Sequence, residues 1–423
     1  MTDPIPFVAA LPNGVRIVIL QLPHLHSVCL SVFVRTGSMH EPPRMNGVSH
    51  FAEHMAFKGT HERSCQQINL DAERLGAEVN AHTDKEHTAY HIRGLARHAQ
   101  RFVHLLGDIV LNSTFPEAEL DRERQVILQE LLEDEDDGLS TAYKLFDKLC
   151  FGAHGLAQPV IGIRRNIERF TRDELLGYVR RQYTGHNLVV GVAGDVDPAA
   201  IAAAAEAAFG GLPAGAPNEV AAPAYAGGTA ARRLGGVQQT HMVLGFPIPS
   251  LAEQHHAAVM AAAVFGEGMS SPLMDEIRER RGLVYYAACS ADVMAQAGQF
   301  VVEASTSPQH LDECVTEVAR LLDQHAQAVD PVDLERARNQ LALRSLDVQE
   351  RPFRRIEEAA QDLFVHGRVR DRAEWMSQMN AVTGEEVRAV FHRMLNAGPA
   401  LAVAGKVPTG WKDRLASTGP WRR

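Results

Sequence analysis

The hydrophobic pattern alternates between short apolar runs and amphipathic runs, and it occurs twice in the same order. In the first half, SVCLSVFVRTG predicts a buried strand, and GVSHFAEHMAFKG after it has the spacing of a helix. In the second half, THMVLGFPI and HHAAVMAAAVFGEG repeat this order. Both helices are followed by another that ends near a glycine, Gly76 or Gly282, and then by two alternating strands.

The correspondence continues to the end of each half. A helix begins at a proline in both halves, over Pro116 to Leu131 and over Pro331 to Leu346, and Thr171 and Thr383 are typical of helix N-caps. The final strands, NLVVGVAGDV and PALAVAGKV, share the pattern VAG-x-V. The sequence therefore predicts an α+β protein of two similar α/β-sandwich repeats, each an antiparallel-rich sheet with helices. Two unrelated α+β domains are the alternative, which this recurrence disfavours.

The composition between the halves predicts where they join. The stretch GGLPAGAPNEVAAPAYAGG, from Gly210 to Gly228, is rich in Gly, Ala and Pro and lacks helical periodicity. We therefore predict a metal-binding catalytic repeat at 1–209, a linker at 210–232 and a second homologous repeat at 233–423. A chain of 423 residues is also longer than a domain with a single hydrophobic core usually is.

Charge, hydropathy and cysteine usage exclude several classes of protein. The formal net charge of −10 argues against a nucleic-acid partner. No apolar stretch is long enough to span a bilayer and no secretory signal is visible, so we expect no membrane partner and a cytoplasmic location. The five cysteines are odd in number and form no CxxC pair, which argues against disulfides and against a cysteine zinc site.

One segment of the first half has the spacing of a metal site. In His50-Phe-Ala-Glu-His54 the two histidines lie one turn apart on a helix face, and Glu53 points to the same side. Neutral imidazoles suit zinc, and a catalytic zinc needs a third protein ligand and one open position. This order is the inverse of the common HExxH motif. Two solvated histidines on a surface helix are the alternative.

The third ligand is expected on the helix that begins at Pro116. Glu123 and Glu130 lie two turns apart on one face, so Glu130 would complete a His₂Glu site while Glu123 orients a ligand histidine through its ring N–H. A charged helix face with nearby arginines is the alternative. Aligning the repeats places Arg344 opposite Glu130 and Ala337 opposite Glu123, so only one copy carries the ligands, as a site grafted on a duplicated scaffold would.

At these residues the chain resembles the pitrilysin-type zinc peptidases, and among them the processing-peptidase branch. The resemblance covers nearly the whole chain and rests on HFAEHMAFKGT, NAHTDKEHTAY, ERQVILQE and SSPLMDEIRERRGLVYYA. It implies that His50, His54 and Glu130 bind one zinc ion per chain. It also implies that Glu53 is the general base and that Glu123 supports a ligand.

The resemblance further implies contributions from outside the metal helix. Arg278 and Tyr285 match the pair that the second repeat brings to the substrate, and Asn80 and Ala81 match edge-strand positions that meet the substrate backbone. A second tyrosine, Tyr286, follows directly, so either phenol is a candidate. We expect the two repeats to close like a clam shell on a peptide bound as an added strand.

The expected activity is zinc-dependent endopeptidase cleavage of peptides or small precursor polypeptides, with Glu53 moving the proton of the attacking water. A non-catalytic peptide-binding or partner subunit of a processing-peptidase-like heterodimer is the alternative, and manganese is the alternative metal. We expect a dimer, with a second copy or with a degenerate paralogue. His82, His87 and His91 lie in the hairpin EVNAHTDKEHTAYHIRG, where hydrogen-bonded or solvated strand histidines are favoured over extra metal ligands.

Overall fold

The computed structural model of the chain describes residues 5–412, which form two compact units. The first unit contains residues 5–131 together with 158–220 and 347–370. The second unit contains residues 132–157, 221–346 and 371–412. Neither unit is therefore one continuous stretch of the sequence.

The first unit is built on a six-stranded mixed sheet with the order β1-β2-β6-β3-β5-β4. Its strands are β1 (Phe7–Ala10), β2 (Arg16–Gln21), β3 (Ser27–Val34), β4 (Glu78–Thr83), β5 (Thr88–Leu95) and β6 (Leu188–Gly194). The β2–β6 pair is parallel and the other neighbouring pairs are antiparallel. The strand β4 lies at the end of this order, so one of its edges has no strand partner in the sheet.

Helices cover both faces of this sheet. They are α1 (Val48–Ala56), α2 (Cys65–Arg74), α3 (Ala99–Leu111), α4 (Glu117–Asp136), α6 (Arg164–Arg169), α7 (Arg172–Gln182), α8 (Pro198–Phe209) and α13 (Pro352–His366). One apolar cluster joins α3 and α8 to one face of the sheet, and another joins α13 to the opposite face. The alternation of side chains along each strand supplies both clusters.

The second unit repeats this topology with one strand fewer. Its sheet has the order β7-β11-β8-β10-β9, with a parallel β7–β11 pair and antiparallel pairs elsewhere. The strands are β7 (Gly228–Arg233), β8 (Thr240–Ile248), β9 (Val284–Val293), β10 (Gly298–Thr306) and β11 (Ala400–Gly405). The predicted class, two similar units of sheet and helix, is confirmed.

The helices of the second unit include those predicted for the second half of the chain, in the same order. They are α5 (Gly138–Phe151), α9 (His256–Gly266), α10 (Pro272–Met274, continuing as a π-helix over Asp275–Arg280), α11 (Leu311–Gln327), α12 (Pro331–Gln349), α14 (Arg372–Ala381) and α15 (Gly384–Ala397). Within residues 5–412, no helix is both long enough and apolar enough to span a membrane.

The predicted domain boundaries are wrong for two helices, each of which packs in the other unit. The helix α5, placed by the sequence in 1–209, packs on β8 and β11 of the second unit, where Phe146 is fully buried. Conversely α13, placed in 233–423, packs on β2, β3 and β6 of the first unit and buries Ile356 and Leu363. Each sheet has an apolar second face that requires a cover, and sequence order does not say which helix supplies it.

The predicted linker at 210–232 also differs from the structure. Its last residues belong to β7, which pairs with β11. Earlier residues are hydrogen-bonded within their own units: Pro213 accepts from the Gly185 amide, and the Gly227 amide donates to Leu149. The stretch without regular secondary structure is therefore shorter than predicted, and it is bonded near both ends.

Candidate metal centre

The helix α1, which carries the predicted motif, begins at a buried carboxylate. Glu41 accepts hydrogen bonds from the backbone amides of Gly47 and Ser49, both at 2.8 Å, and from the side chain of Asn46 at 2.9 Å. A carboxylate at this position satisfies amides that have no partner within the helix and lies at the positive end of the helix dipole. Phe51, fully buried, is part of the apolar face that holds the helix in place.

The structure brings the three predicted ligands together. His50 Nε2 lies 3.7 Å from Glu130 Oε2, and His54 Nε2 lies 3.6 Å from the same oxygen. The two imidazole rings, whose centroids are 4.7 Å apart, come from successive turns of α1. Glu130 reaches them from α4, and its side chain is 40% exposed whereas each histidine is 17% exposed. The cluster therefore has an open side at the carboxylate.

This donor set fits a zinc ion. Ligands of a tetrahedral zinc with two imidazoles and one carboxylate lie about 3.4 Å apart, close to the separations observed here. Burial, with His54 nearby, lowers the pKa of His50 to about 3, which keeps its ring in the neutral form that a metal requires. Nitrogen and oxygen donors in this combination are the ligands that zinc commonly takes in proteins.

Glu123 lies where an orienting carboxylate is expected. Its Oε2 is 3.1 Å from His54 Nδ1, on the side of the ring away from Glu130. Its other oxygen pairs with Lys58 Nζ at 2.6 Å. A carboxylate bound to the second ring nitrogen fixes the tautomer and the orientation of a ligand histidine. His50 lacks such a partner, because its Nδ1 is buried without a hydrogen bond to any residue in 5–412.

Glu53 is held by the hairpin next to α1. The Thr83 hydroxyl, at the end of β4, donates to Glu53 Oε2. Burial raises the pKa of the Glu53 carboxyl, while this hydrogen bond and the neighbouring His54 oppose the shift. The carboxylate therefore has a fixed position beside the two histidines and takes no part in the three-atom cluster.

The predicted edge positions lie on β4. Asn80 and Ala81 pair with β5 on one side, and the other side of β4 is the free edge of the sheet. The Ala81 amide donates to the side-chain oxygen of Asn80 at 2.8 Å. This amide is therefore occupied by a neighbouring side chain, which an incoming strand would displace.

The other two predicted residues belong to the second unit. Arg278 lies in the π-helix after α10, and its guanidinium contacts Met269 Sδ at 3.5 Å. Tyr285, on β9, is 83% exposed, whereas the neighbouring Tyr286 donates its hydroxyl to Glu303. Of the two phenols, Tyr285 is therefore the one available to a ligand.

Sequence reasoning missed three residues that position the centre: Glu41, Lys58 and Thr83. Lys58 follows His54 by four positions, so its place on the same side of the chain was open to prediction. The contacts of Thr83 and Glu41 depend on how the hairpin and the loop before α1 fold back. No local sequence pattern predicts such contacts.

Comparison with known proteins gives a consistent assignment. Residues 16–158 match the family model described as Insulinase (Peptidase family M16), and residues 169–341 match the Peptidase M16 inactive domain. The latter region carries no predicted metal ligand, whereas the former contains all three.

Similar proteins span the chain nearly end to end. An uncharacterized zinc protease of Rickettsia bellii is 31% identical over 94% of this chain and 97% of its own length. Another, from Bacillus subtilis, is 30% identical over 94% of this chain and 98% of its own length. The crystal structure of a Helicobacter pylori protease has the same fold, with a TM-score of 0.86 at 19% identity, covering 95% of this chain and 99% of the other. The chain belongs to the pitrilysin-type, or M16, family of peptidases.

Proposed function

We propose that the chain is a zinc-dependent endopeptidase that cleaves peptides or small precursor polypeptides. The convergence of His50, His54 and Glu130, with Glu53 beside them, is the observation that carries the proposal. The names of the similar zinc proteases support it at the level of the family. One zinc ion per chain would be held by the two Nε2 atoms and the Glu130 carboxylate.

Residues of the chain itself are proposed to transfer the proton and to orient a metal ligand. A zinc ion in this site supplies Lewis-acid chemistry that makes water nucleophilic at neutral pH. Glu53, which the Thr83 hydroxyl holds in place, takes the proton from the attacking water and returns it to the leaving amine. Glu123 keeps the His54 ring in the orientation that directs Nε2 toward Glu130.

Substrate binding is proposed to occur by strand addition. The free edge of β4 offers backbone groups to an extended peptide, and Asn80 and Ala81 lie along that edge. Displacing the Asn80 side chain from the Ala81 amide would release one donor for the substrate. The peptide would then run beside Thr83, whose hydroxyl contacts the proposed base.

The second unit is proposed to contribute Arg278 and Tyr285, the pair implied by the family resemblance. The exposure of Tyr285 supports it over Tyr286 as the donor to the developing oxyanion. Arg278 would bind substrate carbonyl groups. The processing-peptidase branch and a dimer, with a second copy or a degenerate paralogue, stay predictions, and sedimentation analysis of the purified chain tests the dimer.

A chelator experiment tests the proposed activity. Purified protein should cleave unstructured peptides, lose that activity with a zinc chelator and regain it when zinc is returned. Glu130→Gln should lower both bound zinc and cleavage, because it removes one of three protein ligands. The matched control is Glu117→Gln, an exposed change in the first turn of the same helix. A chain that binds peptide but never cleaves it, with zinc present, would support the non-catalytic alternative.

A further inference from the structure

A second group of metal-binding side chains lies on the hairpin β4–β5 and the helix α13. His82 Nε2 is 3.2 Å from Glu357 Oε1, and His87 Nε2 is 3.8 Å from the same oxygen. One donor atom from each residue lies within 4.8 Å of the others, as in the first centre. The sequence analysis favoured hydrogen-bonded or solvated histidines here over extra metal ligands, and it did not include Glu357, the carboxylate that arrives from α13.

This group lies on the opposite face of the hairpin from the proposed catalytic centre. Side chains alternate along β4, so Thr83 points toward Glu53 while His82 points to the other face. That other face is the one covered by α13, whose Phe353 packs against the His82 ring with centroids 6.0 Å apart. The two groups are therefore separated by the sheet and share no residue.

The orientation of His87 is set by a carboxylate, as is usual for a ligand histidine. Asp84 Oδ2 lies 3.0 Å from His87 Nδ1, which directs Nε2 toward Glu357. That Nε2 is buried and has no hydrogen-bond partner among residues 5–412. Glu357 Oε1, at 3.8 Å, is too far away for a hydrogen bond. A buried ring nitrogen without a hydrogen bond is costly in a folded protein, and a bound metal ion would satisfy it.

The two oxygens of Glu357 face different partners. Oε1 faces the two histidines, whereas Oε2 accepts from Arg354 at 2.8 Å. Arg354 is 60% exposed, so it can hold the outer oxygen without entering the cluster. The side chains of His87 and Glu357 are 16% and 18% exposed, and that of His82 is 35% exposed, which leaves a solvent path to the group.

We propose that His82, His87 and Glu357 form a second metal site, which takes a divalent transition metal and zinc in particular. Two imidazoles and one carboxylate provide three ligands, and solvent reaching His82 provides the fourth. The ion would join the tip of the β4–β5 hairpin to α13, two segments far apart in the sequence. Its role is to hold the hairpin that carries the free edge of β4, independently of the first centre.

An ion pair without metal is the competing explanation. Burial lowers the pKa of His87, but Asp84 and Glu357 outweigh it and raise that pKa to about 10. The same two carboxylates that attract a proton attract a divalent cation, and the two compete for Nε2. Direct measurement of bound metal therefore separates the two explanations.

The test uses the full chain with the first centre removed by His54→Ala. This variant is equilibrated with zinc chloride, desalted and measured for zinc by elemental analysis. We expect about one zinc ion per chain to remain. Adding Glu357→Gln, which keeps the shape of the side chain, should reduce the content to near zero. Adding Glu358→Gln instead, on the same helix but outside the group, should leave it unchanged.

A second readout does not depend on stoichiometry. In the His54→Ala chain, Co²⁺ should give the visible absorption of a protein-bound ion, and Glu357→Gln should abolish it. Asp84→Asn should weaken zinc binding by about 10–100-fold, as expected for a residue that orients a ligand. Zinc should raise the melting temperature of the His54→Ala chain and have no such effect once Glu357 is replaced.

Two outcomes would overturn the proposal. One is a folded His54→Ala chain, by circular dichroism, that retains no zinc or cobalt. The other is equal metal content in the Glu357→Gln and Glu358→Gln chains, which would leave an ion pair only. If the proposed catalytic centre does not bind zinc, the result is different. The His54→Ala chain would then contain as much zinc as the wild-type chain.

Discussion

The corresponding pairs of helices in the two units carry different side chains where they come together. In the first unit, α1 and α4 bring histidines and carboxylates together. In the second unit, the corresponding α9 and α12 contribute apolar side chains to one buried cluster, and Ala337, opposite Glu123, is fully buried. Arg344, opposite Glu130, pairs with Glu267 instead of facing a histidine. The comparison indicates that the helix pair keeps its place in the fold without the proposed metal ligands, which are an addition to a shared scaffold.

Both units also keep one arginine contact at the same position of the corresponding helices α4 and α12. Arg124 of α4 donates to the Phe170 carbonyl at 2.8 Å, and Arg338 of α12 donates to the Val382 carbonyl at 2.7 Å. Both carbonyls directly precede a threonine that begins a helix with a capping box, Thr171 or Thr383. These contacts hold backbone segments together, so they are present in both copies, whereas the group of histidines and carboxylates is present in one.

The largest expected effect concerns Glu53, which has no carboxylate counterpart in the apolar α9 of the second unit. Glu53→Gln should keep bound zinc and lower kcat by about 10²–10⁴, because the amide cannot take the proton from water. Peptide turnover and elemental analysis on the same sample measure both quantities. His54→Ala is the contrasting variant and should lose the zinc of this centre as well. Full turnover by Glu53→Gln would exclude it as the base.

The proposed function assigns to Tyr285 of the second unit a hydrogen bond to the oxyanion. Tyr285→Phe should lower kcat by about 10²–10³ through loss of a hydrogen bond to the oxyanion, with zinc content and melting temperature unchanged. Tyr286→Phe is the matched control, since that hydroxyl already donates to Glu303. Equal rate losses in the two variants would contradict the assignment of Tyr285.

The smallest expected effect concerns the shared arginines. Arg124→Met and Arg338→Met should each lower the free energy of unfolding by about 1.5–3 kcal/mol, since each removes a charged donor from a backbone carbonyl. The Arg124 change should be the larger, because this guanidinium also binds the Ile167 carbonyl and lies 5.6 Å from the centroid of the Phe51 ring. Urea titration in the presence of a chelator measures both. A loss in only one variant would weaken the structural correspondence of the two helices.

Much of the fold and of the first centre was accessible from the sequence. The strand and helix landmarks recur in both halves, and the structure places them in two sheets with matching strand order. The helix period alone predicts that His50 and His54 share a face and that Glu123 and Glu130 share another. That Glu130 would meet the two histidines was expected from the needs of a catalytic zinc and from the family resemblance, and in the structure the three side chains lie together.

Other features were beyond sequence reasoning. The covering of each sheet by α5 or α13 depends on which apolar faces fit together, and both helices were placed in the wrong unit. Lys58, Thr83 and Glu41 act through contacts with side chains or amides of α1 and α4. These contacts follow from folded geometry, and the residue types involved are common on any surface.

The sequence by itself determined the local elements, the duplication and the spacing of the first ligand set, because helix and strand periods act over a few residues. Only the tertiary structure decided which helix covers which sheet and brought Glu357 to His82 and His87. The physical reason is that contacts between distant segments depend on the complementarity of whole surfaces, to which each residue contributes little. The second group of possible ligands therefore forms only once α13 has packed on the sheet of the first unit.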